Sequence, residues 1–293
     1  MQETIEILPV TLLDQHRTTV NELKHLARSL GLEFGWHYLL DLTWMLSRLQ
    51  QIKGMQIMDA GAGTGVMQWY LAKRGGRVLS VDRESRANLP LRFRLLYRVT
   101  GLRPQDLVPA NPSMSSQSFQ RTTRVRRITG SLREITRAGI PRLIRGRVVI
   151  YNQDLKRLAD VPDNSLDAIV AVSSLEHNPP EDLENVVSEL TRVLKPGAAL
   201  LATLGASLER DWFHEPSKGW CYTEASLRRL FHLSDDVPAN YDRYEEFLDA
   251  LRGCIDLSSN LAAFYRRSGN NGMPWGVWDP KYQPVGVCKI KHL

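Results

Sequence analysis

Residues 57–65 read Ile57-Met58-Asp59-Ala60-Gly61-Ala62-Gly63-Thr64-Gly65, and the next apolar run, Val78-Leu79-Ser80-Val81, ends on Asp82. This is the pattern of a buried strand, a glycine turn opening a helix, and a second strand closed by a carboxylate. Gly61, Gly63 and Gly65 carry no Cβ, so the chain can bend sharply there and let a ligand touch bare main chain. An acid at the end of the neighbouring strand can accept hydrogen bonds from both hydroxyls of a ribose. The stretch reads as a nucleotide-like binding turn, and its spacing restricts which nucleotide.

A dinucleotide fingerprint places glycine at the first, third and sixth positions, and counted from Gly61 the sixth is Val66. A phosphate loop needs Lys and then Ser or Thr after its last glycine, whereas Gly65 is followed by Val66-Met67. Asp59 stands just before the turn, where its charge repels a pyrophosphate and attracts an ammonium group. A nucleoside without phosphate, joined to a cationic amino acid, meets these conditions. S-adenosylmethionine is such a molecule.

The remaining pattern agrees. Val148-Val149-Ile150-Tyr151 reads as a third strand, followed by Asp154, where an acid could accept from an adenine amino group. Leu166 to Val172 reads as a fourth, ending in Ser173-Ser174-Leu175-Glu176-His177. Leu183, Val186, Val187, Leu190, Val193 and Leu194 keep helical spacing, and Gly197 stops that helix before a fifth apolar run to Leu204. Strands alternating with helices predict a mostly parallel sheet covered on both faces.

Taken together, these pieces resemble the class I S-adenosylmethionine-dependent methyltransferases, in particular the type 11 methyltransferase domain. The resemblance rests on Asp59 to Gly65, Asp82, Asp154, Pro162-Asp163-Asn164-Ser165-Leu166-Asp167, Leu175-Glu176-His177 and Arg192-Val193-Leu194-Lys195-Pro196-Gly197. It spans roughly residues 55 to 205, with an interruption that has no counterpart. It implies a doubly wound, mostly parallel, seven-stranded Rossmann-like sheet with S-adenosylmethionine as cofactor. It implies cofactor contacts at Asp59, Ala60, Gly61, Gly63, Gly65, Asp82, Arg83, Asp154, Leu155 and Ser173. Arg83 either lies flat on the adenine or faces solvent, and Asp160 competes with Asp154. His177 is the candidate general base, needed only where the acceptor carries a proton; the competing reading is a structural histidine bonded to backbone, and Glu176 is a weaker candidate. Asn178-Pro179-Pro180 comes too late for the motif of amino-methylating nucleic-acid enzymes and reads as a helix start, and no cysteine stands near the strand end for covalent attack on a pyrimidine.

A chain of 293 residues with 43% hydrophobic residues can bury one sizeable core with appendages. No apolar run approaches the roughly 20 residues of a membrane span, and Met1 to Ile7 does not read as a secretion signal. Cys221, Cys254 and Cys288 are too scattered for a disulfide framework or a zinc site, so the expectation is a cytoplasmic, free-thiol protein with no metal. The net charge of +6 is local: residues 92–147 hold thirteen arginines against Asp106 and Glu134, or +11, leaving −5 elsewhere. That segment has three readings: a phosphate-contacting patch for nucleic acid, a site for an anionic lipid headgroup or small substrate, or a solvated insertion.

Three regions follow: an N-terminal helical cap over 1–50, a cofactor-binding core over 51–205 with the insertion at about 92–147, and C-terminal helices and closing strands over 206–293. The cap lies over the cofactor cleft or packs its aromatics outside the sheet. Within the insertion, Leu91 to Val99 reads as a helix, residues 101–130 as a loop, and Ser131 to Ala138 as a second helix. If the first helix is the ordinary crossover, the loop leaves from the far face; if the second is, the loop sits above the strand ends. Thr223 caps a helix to Phe231, Tyr241 to Leu251 forms another, and Val285 to Ile290 is a closing strand. The expected activity is methyl transfer to a small-molecule or lipid-linked acceptor, possibly anionic, at oxygen. An RNA methyltransferase and a catalytically inactive cofactor-binding scaffold are the alternatives.

Overall fold

The computed structural model describes residues 1–108 and 146–292. In chain order it runs β1 (Thr4–Ile7), α1 (Leu12–Gln15), α2 (Arg17–Leu30), α3 (Tyr38–Arg48), β2 (Gln56–Ala60), α4 (Val66–Lys73) and β3 (Arg77–Asp82). There follow α5 (Leu91–Leu96), β4 (Arg98–Gly101), β5 (Arg147–Asn152), β6 (Leu166–Val172), α6 (Pro180–Val193) and β7 (Leu194–Ala206). The chain closes with β8 (Trp212–His214), β9 (Gly219–Tyr222), α7 (Glu224–Leu230), α8 (Tyr244–Arg252) and β10 (Gln283–Ile290).

The strands form one sheet in the order β1-β10-β7-β6-β2-β3-β5-β4, with β9 pairing β7 and β8 beside it. From β7 to β4 the pairs are parallel, while β10 is antiparallel to both β7 and β1. From β2 to β3 the sheet grows one way and from β6 to β7 the other. Right-handed crossovers therefore place α4 and α6 on opposite faces, and the growth direction reverses between β2 and β6. A crevice opens above the carboxyl ends of the strands at that reversal, where open α/β sheets hold ligands. Ile57, Met58, Ile169, Val170, Leu200 and Leu201 are all fully buried in the central strands, which accounts for their nearly continuous apolar runs.

The described residues correct several expectations. Ten strands take part in the sheet rather than seven: six of them have an apolar run in the sequence, while β1, β4, β8 and β9 are three or four residues each and too short to show a period. Residues 1–50 are not purely a helical cap, since β1 joins β10 through Ile5↔Val287 and Ile7↔Val285. The helix expected over Leu91 to Val99 ends at Leu96, and Phe93 stacks on Trp69 of α4 with ring centroids 4.6 Å apart. The loop expected from residue 101 begins later, because Arg98–Gly101 pairs parallel to β5 and Pro104–Leu107 forms a 3-10 turn. Asp106 pins that turn, its carboxylate accepting from the Arg103 amide at 2.7 Å and the Asn152 amide at 3.1 Å. At residue 107 the chain thus stands beside the carboxyl end of β5, on the crevice side of the sheet. The Ser/Gln-rich stretch at 113–118, the helix expected over 131–138 and the arginines from 121 to 145 lie outside the described residues.

Other expectations match the elements found. Thr223 caps α7, accepting a bond from the Ser226 amide, Pro180 is the first residue of α6, and α8 and β10 occupy the predicted places.

Candidate active site

A cavity of about 1010 Å³ opens at the sheet's reversal point, and the turn after β2 forms one side of it. Gly61 has φ +71°, and a Cβ there would lie 2.4 Å from Cβ of Ser174, so position and conformation both demand glycine. Gly63 has φ +46°, and its amide donates to Asp82 Oδ2 at 2.8 Å. Gly65 has an ordinary φ of −58° as the residue before α4, so its need for glycine is steric only: a Cβ would sit 3.1 Å from the Ala62 carbonyl. The turn is propped from behind by two residues the sequence reading missed. The Gln68 amide group donates towards the carbonyls of Ala62, Gly63 and Gly65 at 3.2–3.4 Å, and its oxygen accepts from the Ser80 hydroxyl at 2.7 Å. Arg86, itself buried, donates to the carbonyls of Ser80 at 2.9 Å and Tyr151 at 3.0 Å.

Asp59, Gly61, Gly63, Gly65, Asp82, Arg83, Asp154, Leu155, Ser173 and His177 all line this cavity. Ala60 does not: it is fully buried in β2, and its carbonyl accepts from the Ser174 hydroxyl at 2.8 Å. Asp160 is also off the cavity, taken up by the Tyr151 hydroxyl at 2.8 Å. Arg83 is exposed at the cavity's edge. Asp59 is buried, and its Oδ2 has no hydrogen-bond partner among the described residues. Burial pushes its carboxyl up to about 7, against the opposing pull of Arg86. A buried acid with an orphaned oxygen facing a ligand cavity is a receptor for a cation. The ammonium of S-adenosylmethionine fits it, and the bare backbone at Gly61 and Gly63 fits a close-lying nucleoside. The cradle suits the cofactor.

The other side of the cavity is aromatic. Trp36, Tyr38, Phe34, Phe264, Tyr265 and Tyr282 line it, and the Trp36 amide donates to the Tyr265 hydroxyl at 2.9 Å, tying the N-terminal wall to the C-terminal one. Both readings of residues 1–50 are therefore realised by different residues: Trp36 faces the cavity, while Leu40 and Trp44 of α3 are buried in the core. Ser173 follows β6 with φ +43°, a strained conformation for serine, and its hydroxyl donates to Glu176 Oε1. Glu176 is buried with Oε2 unpartnered among the described residues, and burial raises its pKa. His177 is exposed, its Nδ1 2.8 Å from the Lys218 carbonyl; that nitrogen is the donor, which leaves Nε2 as an acceptor. His37, absent from the sequence reading, also lines the cavity and is buried, with Nδ1 2.7 Å from Asp41 Oδ2.

Residues 114–202 match the family model described as a methyltransferase domain. The match holds Asp154, the stretch from Ser173 to His177 and the Leu194 to Gly197 start of β7; the glycine turn lies before it. Over those residues the chain carries a methyltransferase domain. A comparison with curated proteins returned no match. Among solved structures, the chain is similar to 1,6-didemethyltoxoflavin-N1-methyltransferase of Burkholderia thailandensis, solved with 1,6-didemethyltoxoflavin and S-adenosylhomocysteine. The identity is 12% and the TM-score 0.45, over 98% of this chain and 88% of that one. A S-adenosylmethionine-dependent methyltransferase of Methanosarcina mazei is 14% identical with a TM-score of 0.46, over 85% and 97% of the two chains. The [4+2]-cyclase SpnF is 16% identical with a TM-score of 0.48, over the full length of both.

Proposed function

We propose that this methyltransferase transfers a methyl group to a hydroxyl oxygen of a small, neutral or cationic, ring-bearing acceptor. The observation that carries the reading is one continuous cavity, with a cofactor cradle on one side and an aromatic chamber holding buried proton-accepting groups on the other. At about 1010 Å³ it lies at the upper end of single-ligand pockets and accommodates a nucleoside cofactor with a small acceptor. Its charged lining is acidic: Glu33, Asp59, Asp82, Glu84, Asp154 and Glu176 face Arg83 as the one arginine among the described lining residues. Such a lining favours a cationic cofactor and opposes an anionic acceptor.

In this reading Asp59 holds the cofactor's ammonium, Asp82 its ribose, and Asp154 with Leu155 its adenine. Arg83 closes the outer edge, and Ser173 positions Glu176. When bound, the cofactor supplies a methyl group on a positively charged sulfur, open to in-line attack. The aromatic walls hold the acceptor oxygen in line and exclude water, which supplies much of the acceleration for such a displacement. A hydroxyl must lose its proton in the course of transfer, and His177 and His37 are the imidazoles lining the cavity. We place the protein in the cytoplasm, where its free Cys221, Cys254 and Cys288 stay reduced.

The test supplies purified protein and tritiated S-adenosylmethionine to a small-molecule extract of the source cell and to its RNA. Label in a hydroxyl-derived methyl ether of a neutral or cationic compound is the expected result. Label in RNA, or none anywhere, refutes the reading.

A further inference from the structure

We propose that the general base is His37, held by Asp41, and that it takes the proton from an acceptor hydroxyl seated among Trp36, Tyr38 and Tyr282. The inference rests on the hydroxyl-methylating function proposed above and goes on to name the group that removes the proton. His37 precedes α3, and Asp41 lies one turn into that helix, so the spacing of four places both side chains on one face. Nδ1 of His37 stands 2.7 Å from Asp41 Oδ2. A carboxylate at that nitrogen fixes the tautomer: Nδ1 carries the hydrogen and Nε2 presents its lone pair. Among the described residues Nε2 has no hydrogen-bond partner, although the imidazole is only 2% exposed and lines the cavity.

The neighbours set the rest. Trp36 meets the imidazole edge-on with centroids 4.5 Å apart, Tyr38 at 5.4 Å and Tyr282 at 6.0 Å, a frame that leaves the ring little freedom. The titratable groups facing His37 are Asp41 on its own helix, Glu176 from the turn after β6, Tyr38 beside it and Tyr282 at the head of β10. Burial alone would lower the His37 pKa; the Asp41 carboxylate, with Glu176 behind it, outweighs burial and raises it above the ordinary imidazole value. A raised pKa makes a stronger base. As the acceptor oxygen bonds to the methyl carbon, the sulfur keeps the electron pair of the bond it loses. The hydroxyl proton passes to Nε2, and the imidazolium that forms is neutralised by Asp41. His177 has no carboxylate on its Nδ1, only the Lys218 carbonyl, and it is exposed, so it lacks both the orienting charge and the dry surroundings.

The experiment follows tritium from S-adenosylmethionine into the methyl ether formed in the extract, with cofactor affinity measured by calorimetry. His37→Gln is expected to lose about 10²-fold or more in rate while retaining cofactor affinity. His37→Gly is expected to regain rate on addition of imidazole. In wild type the rate falls on the acid side as His37 protonates, and Asp41→Asn moves that limb to lower pH while depressing the plateau. Full rate in His37→Gln, a loss found in His177→Gln instead, or an acid limb unmoved by Asp41→Asn overturns the proposal. The last measurement needs only a near-isosteric variant and decides the matter if His37→Gln does not fold. Methyl ether formed by wild type with no dependence on His37 refutes this inference alone; no methyl ether from wild type refutes the proposed function with it.

Discussion

Asp59 is the residue where burial and the proposed ligand binding oppose each other. Its carboxyl rises from 3.8 to about 7 because folding removes it from water, so between those values the folded chain holds a proton that the unfolded chain has released. Its contribution to stability is therefore present in acid and lost as pH rises through about 7. A bound ammonium reverses the preference by favouring the charged form. Cofactor affinity is accordingly expected to fall as pH is lowered through about 7, and Asp59→Asn should weaken binding and flatten that dependence; calorimetry across the range reads both. Gly61 is constrained by shape. Gly61→Ala places a methyl 2.4 Å from Ser174 at a φ of +71°, so a loss of about 1–3 kcal/mol in denaturant unfolding is expected, with cofactor affinity reduced as the turn shifts.

At the scale of elements, the glycine turn is held by the start of α4 and the end of β3. Gln68 joins the two, with its donors towards the turn's carbonyls and its acceptor on Ser80, and it is fully buried. Gln68→Leu keeps the volume but strips partners from Ser80 and from three carbonyls. It should cost about 1–3 kcal/mol and raise the cofactor Kd, with the rate at saturating cofactor little changed; chemical unfolding and calorimetry together check this. On the sheet's other flank Trp44 of α3 lies directly over Gly286 of β10, where a Cβ would come within 2.5 Å of the indole. Gly286→Ala should lower Tm, because neither a buried tryptophan nor a strand paired on both sides can yield without repacking.

At the scale of the whole molecule, the two ends of the chain close the sheet together. β1 covers the outer edge of β10, with Ile5 and Ile7 fully buried, and the Ile5 amide donates to the Pro238 carbonyl at 3.0 Å. Removing residues 1–8 uncovers a long apolar edge strand. Lower Tm and concentration-dependent association are expected, read by calorimetry and light scattering. Among the described residues no helix is long and apolar enough to cross a membrane. The cavity also draws on both ends: Trp36 and His37 come from before the first core strand, and Tyr265 and Tyr282 from after the last crossover.

The glycine turn and its flanking acids were legible because they are local. The turn at Asp59 to Gly65, with Asp82 at the end of β3 and Asp154 just past β5, obeys a backbone geometry that fixes residue type at short spacing. The parallel strands announced themselves by unbroken apolar runs, since a strand covered on both faces has no polar side to show. What only the tertiary structure decided was the meeting of distant parts. No period in the sequence brings His37, with Asp41 behind it, to the same cavity as Glu176, or sets Arg86 behind a turn more than twenty residues before it. Those contacts follow from how the sheet reverses and from burial, and burial is also what lifts the Asp59 carboxyl above its ordinary range.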